Sequence, residues 1–194
     1  MPYYPGRDDR RTLRLRDYDY AQPGAYFITI CVDGRRCLFG NIAEGAVVLN
    51  DAGRMVADLL DRLPGRFPNV TVDASVVMPN HIHAILILHE SPVGVGPRAY
   101  PCPPRHRTPQ RTSGATSDTG THMGVPLPDV VGWFKTMTTN AYIRGVREHG
   151  WARFDGRLWQ RNYFERVLRD EERLGRARRY VAENPGRWAD DPER

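Results

Sequence analysis

Residues 70–88 read VTVDASVVMPNHIHAILIL, two β-branched runs on either side of Pro79-Asn80-His81. Dense β-branched content flanking a tight turn predicts a hairpin, with strands over Val70–Met78 and Ile82–Leu88. Alternation along the second strand places His81, His83, Ile85 and Ile87 on one face and Ile82, Ala84, Leu86 and Leu88 on the other. Both faces are apolar beyond Ala84, so this strand belongs at the centre of a sheet with cover on both sides.

Upstream, Ala25–Val32 (AYFITICV) reads as a strand that stops at Asp33-Gly34, and Val47–Leu49 as a short strand beside it. Asn50 then caps a helix over Asp51–Leu63, where Met55, Val56, Leu59, Leu60 and Leu63 recur at helical spacing before Pro64-Gly65. Downstream, Asp129 is the expected cap of a helix reaching about Arg147, with Val130, Trp133, Phe134, Met137 and Ala141 on one stripe. LWQRNYFERVL (158–168) is a strand or link. Asp170 caps a last helix from Glu171 to about Asn184, closed by Pro185-Gly186. Between these parts, Glu90–Pro126 gathers Pro, Ser, Thr and Gly without apolar periodicity, and is expected to be a mobile insertion within a single domain spanning 1–194. The pattern predicts an α+β fold: an antiparallel sheet of four or five strands with the hairpin at its centre, helices packed on it, and the histidines facing the late helix.

At 194 residues and 40% hydrophobic content the chain matches one domain on a scale of roughly 100–200 residues each. Of its 28 basic residues one is lysine, Lys135, leaving 27 arginines against 23 acids and a net charge of +5. Guanidinium forks suit phosphate oxygens and stack on bases, so nucleic acid is the first partner to test. Cys31, Cys37 and Cys102 are an odd, sparse set with no CxxC spacing, which supports neither a disulfide framework nor a cysteine zinc site and fits a reducing cytoplasm. The start MPYYPGRDDRR lacks an apolar signal region, and the longest apolar run, Ala84–Leu88, is too short to cross a bilayer, so no membrane association is expected.

His81-Ile82-His83 is the sharpest chemical feature. Imidazoles two apart on a strand point the same way and can share one metal ion; the alternative is two inert, hydrogen-bonded strand-edge histidines. Ile85 occupies the place where a histidine-triad phosphohydrolase would carry a third histidine, and the zinc-protease pattern HExxH is absent. His89, His106, His122 and His149 read as surface residues. At about 100° per residue, the last helix gathers Leu174, Ala177, Tyr180, Val181 and Asn184 on an inward face. Tyr180 and Asn184 stand one turn apart: either a buried tyrosine with an end-capping asparagine, or a nucleophile and a hard ligand beside a metal-bound phosphate.

AYFITICV, LFGNI, FPNVTVDASVVMPNHIHAILIL, WFKTMTTNAYIRG and LWQRNYFERVLRDEERLGRARRYVAENPGRW together resemble the single-tyrosine HUH transposases, in particular the REP-associated tyrosine transposase group. The likeness spans roughly residues 12–89 and 129–188. It implies an HUH-nuclease fold with a ferredoxin-like or RRM-like core. It further implies that His81 and His83 bind a divalent ion, Mg or Mn, that Asn184 is the third ligand, and that Tyr180 is the nucleophile. In related insertion-sequence enzymes glutamine is usual at the place of Asn184. Tyr163 is the competing nucleophile, and Tyr142 reads as packing.

By the same resemblance, the substrate is single-stranded DNA near hairpins of repetitive extragenic palindromes, cleaved and rejoined through a 5′-phosphotyrosine, and the setting is nucleoid-associated. Lys135, Trp159 and Arg161 are the candidates for gripping phosphates and stacking bases. A homodimer and a monomer both stay open. Two other classes stay open as well: a catalytically silent, domesticated transposase that binds DNA hairpins, and a metallohydrolase of small phosphoesters.

Overall fold

The structure, a computed structural model, describes residues 18–90 and 124–194. The proposed insertion at 90–126 therefore lies, apart from its ends, outside the described residues. Four strands, β1 (Gly24–Cys31), β4 (Val70–Val77), β5 (His81–Leu88) and β6 (Phe164–Leu168), form one antiparallel sheet in the order β4-β5-β1-β6. The fold is α+β, as expected. One half of the hairpin, β5, is central, whereas β4 is an edge; β1 takes the other central place because it pairs with β5 along its whole length, Gly24 opposite Leu88 to Cys31 opposite His81.

Val47–Leu49 requires a correction. It lies in β3 (Ala46–Leu49), which pairs with β2 (Gly40–Ala43) in a separate two-stranded ribbon and not with β1. The ribbon turns at Glu44 and Gly45, both at positive φ, a geometry that matches strand twist in short hairpins.

Helix α1 (Asp51–Asp61) starts where Asn50 accepts the Gly53 amide at 2.9 Å, satisfying one of the orphan donors of a first turn. The expected single helix to Leu63 breaks at Arg62, and Leu63–Arg66 forms a separate short turn, α2. Helix α3 (Leu127–His149) begins two residues before the expected cap, with Pro128 in its first turn where no amide is missed, and ends at Gly150 with φ +68°. Helix α4 (Glu171–Glu183) is capped by Asp170, which accepts the Arg173 amide at 2.7 Å. A 3₁₀ segment, Asn184–Asp190, follows it directly.

The two faces of the sheet are unequal. On one, Ile28, Ile30 and Leu86 meet Leu60 and Leu63 of α1–α2 and Val130, Val131 and Phe134 of α3 in the main core. On the other, α4 covers a small cluster of Phe27, Ile85, Leu168 and Val181, with Leu174, Ala177 and Tyr180 packed against it. Alternation on β5 thus sends Ile82, Ala84 and Leu86 into the main core and leaves the histidine face to α4. No helix among the described residues is long and apolar enough to cross a membrane.

Candidate active site

His81 and His83 open β5 and are fully buried, 0% and 1% exposed. Their Nε2 atoms lie 3.0 Å apart. Sheet register supplies the contacts behind them: Thr29, the cross-strand partner of His83, places Oγ1 2.8 Å from His83 Nδ1. Asn80, in the turn closed by Met78 N–H donating to His81 C=O, places Oδ1 2.7 Å from His81 Nδ1. The Nδ2 group of the same carboxamide donates to the Glu193 carbonyl at 2.9 Å and the Arg35 carbonyl at 3.3 Å, which sets its orientation. A carboxamide oxygen only accepts, so His81 carries its proton on Nδ1 and directs the Nε2 lone pair toward His83.

Burial pulls His81 down to about 2, helped by the neighbouring His83 and the Arg35 guanidinium, and pulls His83 down to about 3. Both rings are neutral at physiological pH, the state that ligates metal. Phe27 stacks on His83 with centroids 5.3 Å apart and meets Tyr180 edge-on at 5.8 Å. Tyr180, on α4, stands edge-on to His83 at 5.1 Å. Its phenol is pushed up to about 12 by burial first, then by Asp191 and Glu193, while Asn184 and Arg187 oppose the shift.

Asn184 is 2% exposed at the end of α4, and its Oδ1 has no hydrogen-bond partner. Asp191, just past the 3₁₀ segment, is also buried: its Oδ1 accepts the Glu193 amide at 2.8 Å, while Oδ2 has no partner and lies 3.6 Å from His81 Nε2. Burial holds its carboxyl above the usual range. Ligand atoms of His81, His83 and Asp191 all lie within 4.8 Å of one another. Two nitrogens bound to one ion at about 2.0–2.1 Å stand at most about 4.2 Å apart, so the 3.0 Å pair fits a single cation. The two Nε2 atoms, with unpartnered oxygens on Asn184 and Asp191, make a mixed nitrogen and oxygen donor set suited to a divalent metal once any proton shared between the imidazoles is displaced. Trp188 stacks over His81 with centroids 6.2 Å apart, so the C-terminal segment closes the site.

Residues expected together by sequence meet here: His81, His83, Tyr180 and Asn184. Asp191 was not anticipated, because an acid in WADDPER reads as a solvated tail and no periodicity marks it; Thr29 carried no signal either, whereas Asn80 was visible only as a turn residue. Two of the DNA-binding candidates need correction. Trp159 is 3% exposed, packed between Phe39 and Phe134, with Nε1 donating to Thr138 Oγ1 at 2.8 Å, so it has no free face for a base. Lys135 donates to the carbonyls of Gln160 at 2.6 Å and Arg161 at 3.0 Å, which makes its first task structural. Arg161 is exposed. Tyr163 packs against the main core, away from the histidines, and Tyr142 is buried with its hydroxyl donating to the Ala152 carbonyl at 2.9 Å.

No protein-family profile matches the chain. An uncharacterized protein of Haemophilus influenzae (strain Rd) is 34% identical over 192 residues, covering 97% of this chain and 95% of that protein, and the two belong to one family. Among solved structures, a REP-associated tyrosine transposase bound to a REP hairpin superposes with a TM-score of 0.52 at 17% identity, covering 90% of this chain and 73% of that one. The chain has the REP-associated tyrosine transposase fold. A transposase candidate from Deinococcus radiodurans superposes less closely, with a TM-score of 0.42 at 16% identity over 88% of this chain and 96% of that one. In the transposase fold of this chain, the paired histidines and the late-helix tyrosine face each other across one small apolar cluster.

Proposed function

We propose that this protein is a metal-dependent transposase that cleaves and rejoins single-stranded DNA beside hairpins, with Tyr180 as nucleophile. The observation that carries the reading is the placement of the Tyr180 ring 5.1 Å from His83, whose Nε2 is 3.0 Å from that of His81. A small-phosphoester hydrolase has no need of a tyrosine there. His81 and His83, with Asn184 or Asp191, would hold a divalent ion, Mg or Mn. Bound there, the ion would withdraw charge from the phosphate oxygens and favour in-line attack. Tyr180 Oη then forms the new bond to phosphorus as the P–O3′ bond breaks; the phenol proton passes to solvent and the departing 3′ oxygen takes one up. The product is a 5′-phosphotyrosine with a free 3′-OH, and attack by another 3′-OH reverses the step. Burial holds the Tyr180 phenol up and Asn184 offsets that only in part, so a bound cation or a nearby guanidinium would have to favour the phenolate.

Support for hairpin DNA as the partner comes from the REP hairpin bound by the structural neighbour and from the basic charge of this chain. The test is covalent trapping. Protein, Mn and a hairpin oligonucleotide with single-stranded flanks are expected to give an adduct that survives denaturation. Tyr180→Phe removes it and Tyr163→Phe keeps it. An adduct lost only in Tyr163→Phe moves the nucleophile to β6's approach; none from metal-loaded protein across several hairpins favours the silent hairpin-binding protein.

A further inference from the structure

Arg35 lies just past β1, at a place where its backbone is forced into the left-handed region, φ +55°. Side-chain-bearing residues rarely adopt that conformation, and where they persist the surroundings hold them for a reason. Here the Arg35 amide donates to Val32 C=O at 3.0 Å and its carbonyl accepts from Asn80 Nδ2. Asn80 is also the residue that orients His81, so one carboxamide ties the Arg35 backbone to a ligand ring. The guanidinium holds two groups of the C-terminal segment: the Glu193 carboxylate at 2.7 Å and the Pro192 carbonyl at 3.0 Å. Glu193 Oε2 also accepts from Cys31 Sγ at 3.1 Å, and Cys31 is the cross-strand partner of His81. Arg35 thus presents Nη1 to a carboxylate seated at the end of the histidine strand, and a carboxylate oxygen is chemically close to a non-bridging phosphodiester oxygen. Of the four arginines of α4, Arg173 and Arg176 pair with acids at the start of their own helix, Arg178 is spent on Asp73, and Arg179 is exposed.

We propose that Arg35 is the phosphate-gripping residue of this site, taking a non-bridging oxygen of the scissile phosphodiester in the place that Glu193 occupies here. The proposal rests on the DNA-cleavage reading above. During attack by Tyr180, negative charge builds on the equatorial oxygens, and a fixed guanidinium stabilises that charge without having to reorganise. Glu193 is then a competitor for Arg35, and this gives the two residues opposite signs in an experiment.

Adduct formation is measured in single turnover at saturating oligonucleotide with Mn. Arg35→Gln is expected to slow it about 100-fold, Arg35→Lys less, and Glu193→Gln to leave it unchanged or speed it. Binding of the same oligonucleotide is measured separately in Tyr180→Phe protein, which cannot form the bond. There Arg35→Gln should weaken binding about tenfold and reduce the slope of log K against log salt by about 0.7, one phosphate contact on a single strand; Arg35→Lys should keep that slope. If Arg35→Gln speeds adduct formation as Glu193→Gln does, Arg35 only secures the C-terminal segment and the proposal is overturned. An unchanged salt slope in Arg35→Gln overturns it as well. Absence of adduct from unsubstituted protein would sink the cleavage reading, while the binding measurement still decides whether Arg35 meets a phosphate.

Discussion

Lys135 shows how far a residue's type can stand from its task. As the chain's single lysine it reads as a phosphate contact, yet its ammonium is folded back onto the Gln160 and Arg161 carbonyls. Burial is the main cause that draws it down to about 8, with Arg157 adding to the effect. An unfolded lysine titrates near 10.4. Between about pH 8 and 10.4 the unfolded chain therefore binds more protons than the native one, and native stability rises with pH across that window. Urea unfolding should show the unsubstituted protein gaining on Lys135→Met from pH 8 to pH 10.4; a pH-independent difference would mean the ammonium is not desolvated. Trp159 makes the same point without charge: an aromatic beside arginines reads as a stacking platform until Thr138, Phe39 and Phe134 are found around it.

Among the elements, α4 depends most on a single contact. It buries one residue, Val181, and meets the sheet through Leu174, Ala177 and Tyr180, a small apolar area to fix a helix that carries the proposed nucleophile. Arg178 adds a two-pronged pair to Asp73, Nε to Oδ2 at 2.8 Å and Nη2 to Oδ1 at 2.7 Å. Asp73 sits at the irregularity in β4 between Val72 and Ala74, where the strand slips register against β5; an extra residue of that kind re-aims a side chain. The pair holds the Asp73 carboxyl below its usual range. Its contribution is present above the unfolded carboxyl pKa of about 3.9 and is lost as pH falls through the lower native value. Asp73→Asn should speed amide exchange in α4 while the main-core strands keep their protection. Equal protection of α4 in both proteins would show that the apolar contacts suffice. The caps at Asn50 and Asp170 were legible because a cap is a local rule over three residues; the pairing of β3 was not, because four-residue strands say little about which neighbour they choose.

Across the whole molecule, the C-terminal segment and the histidine strand come together from 113 residues apart, the separation of Asn80 and Glu193. Trp188 covers His81, Asp191 contacts it, and Glu193 reaches Cys31 and Arg35. A phosphodiester cannot touch two imidazoles that are 0% and 1% exposed, so the proposed DNA cleavage requires residues 188–194 to move. Ending the chain at Arg187 should open the pair: diethyl pyrocarbonate is expected to modify His81 and His83 in the shortened protein and spare them in the full chain. Unmodified histidines in the shortened chain would place the barrier elsewhere.

By itself the sequence determined what short-range patterns encode: the strands of the hairpin, the shared face of His81 and His83, the two side-chain helix caps, and the inward stripe of α4 with Tyr180 and Asn184 one turn apart. These rest on the two-residue and 3.6-residue periods of the backbone, which any reader of the chain can apply. Only tertiary structure decided that β1 joins β5 at the centre while β4 becomes an edge, that Thr29 and Asn80 set the two rings, and that Asp191 joins them from the tail. It also decided that Lys135 and Trp159 turn inward. Each of those depends on which distant residue arrives opposite, a matter of pairing register and burial that no local period records.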